Sequence, residues 1–239
     1  MKVLCVIPAR GGSKGVKNKN IKILKGKPVL AYSIETALAS KNIDLAVVST
    51  EDPKIASVAR NLGVKVIDRP AEYAQDNSPI YYALRHAVEC VAKEKGWTPD
   101  ITAWLQPNLP LREIALVDHV IEKLVANFDK TDTVSTVYKT HHHPELMKKI
   151  VNGLLEFREK PNKLRYIRQE LDDIYLHDGS VSATKTSVLM DESLQQNNVH
   201  FYMGRIMPFI HDFPYTVEID YEEDFKLLEY ILEKNLNTK

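Results

Sequence analysis

The stretch from Ile7 to Asn20 limits the fold more than any other. An apolar run, Val3 to Ile7, reads as a buried strand, and it empties into a turn holding Gly11, Gly12, Gly15, Ser13 and the cations Arg10, Lys14, Lys17 and Lys19. Glycines let backbone N–H groups approach an anion closely, a hydroxyl adds a donor, and Arg and Lys supply charge that backbone dipoles lack. A strand that runs through such a turn into a helix is a phosphate-site frame of α/β proteins. The turn matches neither G-x-x-x-x-G-K-[ST] nor G-x-G-x-x-G, so it is not a Walker A loop and gives no support to dinucleotide binding. The first 34 residues hold eight Lys or Arg and no Asp or Glu, whereas the whole chain balances 32 basic against 32 acidic residues. The positive field is therefore local. It suits a small polyanion bound at one place and argues against a nucleic-acid binder, whose basic surface has no matching acidic one.

Periodicity extends the frame. Lys27-Pro28 is read as the start of a helix carrying Leu30, Ile34, Ala37 and Leu38; Leu45 to Ser49 is a strand; Ile55, Val58, Ala59 and Leu62 mark a helix stopped by Gly63; Val64 to Ile67 is a third strand. This β-α-β-α-β alternation predicts an α/β fold with a mainly parallel sheet covered by helices, and ligands outside the carboxyl ends of its strands. Residues 68–79 are polar and turn-rich, which makes them a strand-end loop. Ile80, Leu84, Ala87, Val88 and Val91 then mark a long helix, and Ile101 to Leu105 a strand ending in a second loop, Gln106 to Arg112. Val117, Ile121, Leu124, Val125 and Phe128 give a further helix and Thr133 to Tyr138 a strand. From about 139 to 180 the alternation fails at His141-His142-His143-Pro144, Asn152-Gly153 and Lys160-Pro161-Asn162, which predicts a β-rich arm inserted into a single domain spanning 1–239. Tyr215 to Ile219 reads as a strand, and Phe225, Leu228, Ile231 and Leu232 as a closing helix. No apolar run approaches the ~18 residues that cross a bilayer, and no apolar leader precedes the basic loop, so a cytoplasmic protein is expected. Cys5 and Cys90 lie in apolar stretches and read as reduced core residues rather than a disulfide or a zinc site.

A second charged feature lies far along the chain. Residues 218–224 hold five carboxylates and no base. Glu218 and Asp220 are two apart in a predicted strand, so their side chains leave the same face and both can reach one divalent ion. Mg²⁺ favours one or two carboxylates together with substrate phosphate and water. Glu222, Glu223 and Asp224 read instead as negative charge at the start of the last helix. The triplet His141 to His143 is excluded as a metal site, because three consecutive residues cannot all turn to one ion in an extended segment.

The segment from Ile7 to Gly15, followed by Lys19-Asn20 and Gly26-Lys27-Pro28, is similar to the opening signature of the acylneuraminate cytidylyltransferases. Arg69-Pro70-Ala71-Glu72, Leu105-Gln106-Pro107, Pro110-Leu111-Arg112, His142-His143-Pro144, Arg168-Gln169-Glu170-Leu171, Asp178-Gly179 and Glu218-Ile219-Asp220 extend the match in one order. The resemblance implies a Rossmann-like three-layer nucleotidyltransferase fold with a small protruding dimerisation arm at about 140–180. It implies a Mg²⁺-dependent enzyme that moves CMP from CTP to the anomeric hydroxyl of a nonulosonic, sialic-acid-like sugar and releases pyrophosphate. Its partners would be CTP, an acidic sugar and a second copy in a homodimer, with no nucleic acid and no membrane.

Residue by residue, the resemblance assigns Ala9, Arg10, Gly11, Gly12, Ser13, Lys14, Lys19 and Asn20 to the triphosphate, and Arg69 and Ser78 to the base and ribose. Gln106, His143, Lys148, Arg168, Gln169 and Asp178 would face the sugar. Glu218 and Asp220 would bind Mg²⁺, and Arg10, Lys19 and Asp220 would be catalytic. Three departures fall on the acidic and sugar sides: Glu218 stands where the family has Asp, Glu145-Leu146-Met147 precedes Lys148, and Asp178-Gly179-Ser180-Val181-Ser182 replaces Asn-Gly-Ala-Ile-Tyr. The last resembles the branch that activates bacterial relatives such as legionaminic acid. Two alternatives stay open: a same-fold nucleotidyltransferase with another acceptor, such as a 3-deoxy-ulosonic acid or a sugar 1-phosphate, and a non-catalytic nucleotide-binding protein.

Overall fold

β1 (Val3–Pro8) is buried on both faces: Val3, Cys5 and Ile7 point into one layer of helices, Leu4 and Val6 into the other. In the computed structural model of the chain, the residues described are 1–140, 142–159, 171–193, 204–211 and 216–236. β4 (Leu45–Thr50) and β6 (Ile101–Trp104) flank β1 in parallel, and β5 (Lys65–Asp68) extends the sheet beyond β4. On the other side β10 (Tyr175–Lys185) runs antiparallel between β6 and β7 (Thr133–Lys139), and β11 (Ile206–Ile210) pairs in parallel with β7. The order is β11-β7-β10-β6-β1-β4-β5.

Apolar residues of α1 (Val29–Ala39), α2 (Pro53–Asn61) and α4 (Ile114–Ala126) cover the face of Val3, Cys5 and Ile7. α3 (Ile80–Lys95) and the short α5 (Thr186–Leu189) cover the opposite face. The result is the expected three-layer, mainly parallel α/β fold. No described helix is long and apolar enough to cross a membrane.

A third apolar cluster positions the site. Phe225, Leu228 and Ile231 of α6 (Glu222–Leu236) pack with Val217 and Ile219 against Val16, Leu24, Val29 and Leu111. Burial of these side chains draws the acidic segment of the carboxyl-terminal region against the basic loop that follows β1.

The structure differs from the periodicity in three places. Lys27-Pro28 does not open α1 but forms β3 (Lys27–Pro28), a short ribbon with β2 (Ile23–Leu24), turning at Lys25 and Gly26, both at positive φ. The strand expected over Tyr215 to Ile219 is absent from its described part: residues 217–220 have no regular secondary structure, and Tyr215 lies outside the described residues. Val217 and Ile219 are nevertheless buried while Glu218 and Asp220 are exposed, so the alternation survives without a sheet partner. β10 falls partly inside the region read as irregular. Its register shifts between His177 and Ser182; its buried Val181 and Ala183 join the apolar core, while Ser182 and Thr184 share hydroxyl hydrogen bonds with Ser135 and Thr133 of β7 and the Ser180 hydroxyl accepts from Arg112. The expected arm contains a hairpin of β8 (Lys148–Val151) and β9 (Leu154–Phe157) that turns at Asn152-Gly153, both at positive φ.

Candidate active site

The carboxyl ends of β1, β5 and β6 open on a cavity of about 740 Å³ lined by Arg10, Ser13, Lys14, Gly15, Lys19, Asn20, Arg69, Ser78, Gln106 and Asp220, among others. These residues come from four separate stretches of sequence. Asn18, at φ 56°, turns the chain into a 3₁₀ turn over Lys19–Ile21. Asn20 is buried there, and its side-chain amide donates to the Arg10 carbonyl at 2.9 Å, fixing the loop on itself.

Not every glycine of the loop offers its amide to an anion. The Gly11 N–H donates to Glu51 Oε1 at 2.7 Å, and the Ala9 N–H to the Ser49 carbonyl at 3.0 Å. A Cβ at Gly11 would stand 3.0 Å from Asp52 Cγ, so this glycine is needed for close packing against the amino-terminal end of α2, which Asp52 caps. Ala9 and Gly11 spend their amides on neighbouring strand ends and Gly12 is exposed; none of the three lines the cavity. The loop's residues that line the cavity include Arg10, Ser13, Lys14 and Lys19. Arg10 donates to Asp76 at 2.8 Å and Lys14 pairs with the same carboxylate, so Asp76 gathers two of the loop's cations.

Lys19 joins the basic loop to the acidic segment. Its Nζ donates to the Ile219 carbonyl at 2.5 Å and lies 3.4 Å from Asp220 Oδ1. A Cβ at Gly15 would overlap the Asp220 carbonyl oxygen, so the two segments touch only because Gly15 has no side chain. The Ile219 N–H donates to the Asn108 carbonyl at 2.8 Å, and the Asn108 amide donates to Glu218. Asp224 accepts from the Asp220 and Tyr221 amides, both at 2.7 Å, as an acid in the first turn of α6 should.

On the β4–β5 side, Glu51 binds Arg69 Nη2 at 2.6 Å as well as the Gly11 amide. Arg69 is buried, and its Nε has no hydrogen-bond partner among the described residues. Tyr73 lines the cavity and stacks on Tyr82 with ring centroids 5.4 Å apart. Ser78 Oγ donates to the Glu72 carbonyl at 2.6 Å.

The residues expected on the sugar side separate. Gln106 lines the cavity. Asp178 does not: its buried carboxylate accepts from Thr136 Oγ1 at 2.6 Å and the Ser180 N–H at 2.9 Å, and pairs with His211. Burial pushes the Asp178 carboxyl up, but these hydrogen bonds win and hold it below the usual carboxylate range. His143 is turned away, its Nδ1 accepting from the Glu145 amide at 3.2 Å, and Lys148 lies over the Phe157 ring within the hairpin. Arg168 and Gln169 lie outside the described residues.

Glu218 and Asp220 suit a divalent ion by their charge. Glu218 is exposed as a residue, but its carboxyl is partly shielded from water beside Asn108; that shielding, and then the Asp220 charge, push it up, a strain that a cation bound by both would relieve. Among the described residues no group of three or more His, Cys, Asp or Glu gathers at one point. Two carboxylates are enough for Mg²⁺ when phosphate oxygens and water complete its shell.

Glu51, Tyr73, Asp76 and Asn108 were not among the residues singled out from sequence. Glu51 and Asn108 lie just past the ends of β4 and β6, where the strand-end rule points in an α/β fold. Asp76 and Tyr73 sit in the polar loop over 68–79, whose composition marks a loop but not which side chains face the cavity.

The family model described as Cytidylyltransferase matches residues 4–237. The chain is 28% identical over 241 residues to N-acylneuraminate cytidylyltransferase of Escherichia coli, covering 100% of this chain and 54% of that protein. It is 30% identical over 240 residues to post-translational flagellin modification protein B of Campylobacter coli, covering 99% and 98%. It is 33% identical over 188 residues to pseudaminic acid cytidylyltransferase of Campylobacter jejuni, covering 78% and 79%. The fold is shared with a CMP:2-keto-3-deoxy-manno-octonic acid synthetase solved in complex with CTP, at a TM-score of 0.69 and 18% identity over 98% of this chain and 100% of that one. On the family match across nearly its whole length, the chain belongs to the cytidylyltransferase family.

Proposed function

We propose that the chain transfers CMP from CTP to the anomeric hydroxyl of a nonulosonic acid and releases pyrophosphate. The observation that carries this reading is the meeting of the basic loop and the acidic segment at Lys19, in one cavity at the carboxyl ends of the strands. The similarity to N-acylneuraminate and pseudaminic acid cytidylyltransferases supports the acceptor class.

In this reading the acceptor oxygen attacks the α-phosphorus. A new P–O bond forms as the bond to the bridging oxygen breaks, pyrophosphate leaves with the electron pair, and the hydroxyl proton passes to solvent. Arg10, Ser13, Lys14 and Lys19 hold the phosphates, and Arg10 and Lys19 follow the charge that moves onto the leaving group; fixed donors of this kind usually supply the largest share of the acceleration. Entry of the triphosphate displaces Asp76 from Arg10 and Lys14. Arg69, whose Nε is unpartnered among the described residues, and Ser78 serve the base and ribose, and Gln106 faces the acceptor.

Glu218 and Asp220 hold Mg²⁺, which when bound draws electron density from the phosphate and lowers the pKa of an attacking hydroxyl. The exposed apolar hairpin of β8 and β9 joins two copies into a homodimer. The reaction belongs in the cytoplasm, in keeping with Cys5 and Cys90 as free thiols. A pyrophosphate-release assay over CTP, UTP, ATP and GTP with a panel of nonulosonic acids tests the reading: CTP with one of the acids turns over, and indifference to the base refutes it.

A further inference from the structure

The acceptor-side wall of the cavity is held by two residues that have no part in the chemistry above. β10 runs antiparallel to β6, which brings its bulged segment between His177 and Ser182 to the carboxyl end of β6, beside Gln106. Gly179 lies in that segment at φ +70°, and the Gln106 side chain rests on it. A Cβ at Gly179 would stand 2.7 Å from Gln106 Cδ and 3.3 Å from Oε1. The group in the way is the free end of a flexible side chain, so the amide would yield and the sheet would not.

Arg112 holds the other end of Gln106. Its Nη2 donates to the Gln106 carbonyl at 3.0 Å, its Nε to the Ser180 carbonyl at 2.8 Å and the Ser180 hydroxyl at 3.3 Å, and its Nη1 to the Ser33 hydroxyl at 3.1 Å. Among the described residues no carboxylate forms an ion pair with this buried guanidinium. Burial lowers its pKa to about 10, which leaves it charged at neutral pH. A buried cation spent on four uncharged acceptors is expensive. What it secures is the relative position of β10, α1 and the Gln106 loop. Asp178, tied to His211, Thr136 and the Ser180 amide, keeps the turn at Gly179 from sliding.

We propose that Gly179 and Arg112 are the positioning residues of the acceptor subsite: Gly179 leaves the space in which the Gln106 amide lies, and Arg112 fixes the backbone that carries it. This rests on the reading of Gln106 as the acceptor-facing residue. Selection among acidic sugars then depends on a side chain whose place is set by a missing one. Any residue but glycine at 179 drives the amide into the cavity and narrows it on the acceptor side only.

Steady-state kinetics of Gly179→Ala, Gly179→Asn, Gln106→Ala and the double variant Gly179→Ala with Gln106→Ala test this. Gly179→Ala raises the acceptor KM about tenfold, the scale of a displaced positioning group, while the CTP KM and the thermal protection by CTP hold. Gly179→Asn does the same, because Asn adopts positive φ more readily than Ala and so separates the lost space from backbone strain. In the Gln106→Ala background, Gly179→Ala changes the acceptor KM by less than about twofold, as two residues acting through one contact should. Independent, multiplying effects overturn the proposal, as does an equal rise in both KM values. A readout without turnover keeps the proposal distinct from the assigned reaction. The Gln106 side-chain amide resonance, assigned by its loss in Gln106→Ala, shifts in Gly179→Asn and Arg112→Lys; an unmoved resonance overturns the positioning role whether or not the wild type is active. Absence of turnover in a wild type whose resonance does shift in the variants overturns the assigned reaction and leaves the contact standing.

Discussion

At the scale of single residues, Lys19 does two things at once. Its ammonium is mostly buried, with 16% of the side chain exposed, and it is held by the Ile219 carbonyl and by Asp220 from the opposite end of the chain. In the proposed reaction a cation in that position would serve both the bound triphosphate and the charge that develops on departure. Lys19→Met is therefore expected to weaken CTP binding and to lower kcat by about 10²–10³-fold, the usual loss for a fixed charge-stabilising donor. Asp220→Asn keeps the side chain's shape and removes its charge. It is expected to lower kcat to a similar degree while CTP affinity changes little. Calorimetric titration with CTP beside turnover measurements separates the two, and loss of CTP affinity in Asp220→Asn alone would contradict these roles.

At the scale of elements, the half of the sheet built from β7, β10 and β11 depends on polar ties. Asp132, just before β7, accepts from Arg205 ahead of β11 and from Lys185 at the end of β10. The Arg205 guanidinium above all, with Lys185, holds the Asp132 carboxyl well below the usual carboxylate range. The folded state then binds fewer protons than the unfolded chain at acid pH. The stabilisation is present above pH ~4, the unfolded value, and is lost as pH falls through the lower folded value. Asp132→Asn is expected to destabilise by about 1 kcal/mol at pH 7, low for charge-assisted bonds because Arg205 is largely exposed. Urea unfolding between pH 7 and 3 should show a shallower acid loss in the variant than in the wild type.

The same elements show where sequence reading stops. β1, β4, β5 and β6 are apolar runs and were legible. β10 alternates the core residues Val181 and Ala183 with the buried hydroxyls of Ser182 and Thr184, whose partners Ser135 and Thr133 lie 47 and 51 residues away, a pairing that no local pattern carries. The acidic segment was legible as an alternating pair, because burial of Val217 and Ile219 imposes the alternation even without a strand. The family resemblance at Asp178-Gly179 places Asp178 on the sugar side, but its partner His211 lies 33 residues on, and a carboxylate already satisfied by its own fold looks the same in sequence as a free one.

At the scale of the whole molecule, the clusters that close the fold also assemble the site. The α6 cluster brings two oppositely charged segments, about 200 residues apart, to a single cavity. What the described chain leaves open is its hairpin: Ile150, Leu154 and Leu155 are 76%, 70% and 74% exposed, and a lone two-stranded hairpin is marginal in water. A second copy covers it in the account given above. Ile150→Lys combined with Leu155→Lys is expected to convert a dimer into a monomer in sedimentation velocity, with CTP-induced thermal protection intact. A wild type that sediments as a monomer would contradict the dimer.

In the proposed reaction the basic loop and the acidic segment converge on one phosphoryl transfer. The measurement that tests it most directly is the joint stoichiometry of products from CTP and a nonulosonic acid, by mass spectrometry and phosphate analysis. The account predicts one CMP-sugar formed for each pyrophosphate released. Free CMP without a CMP-sugar, or no pyrophosphate from a folded protein with any acid of the panel, would contradict it.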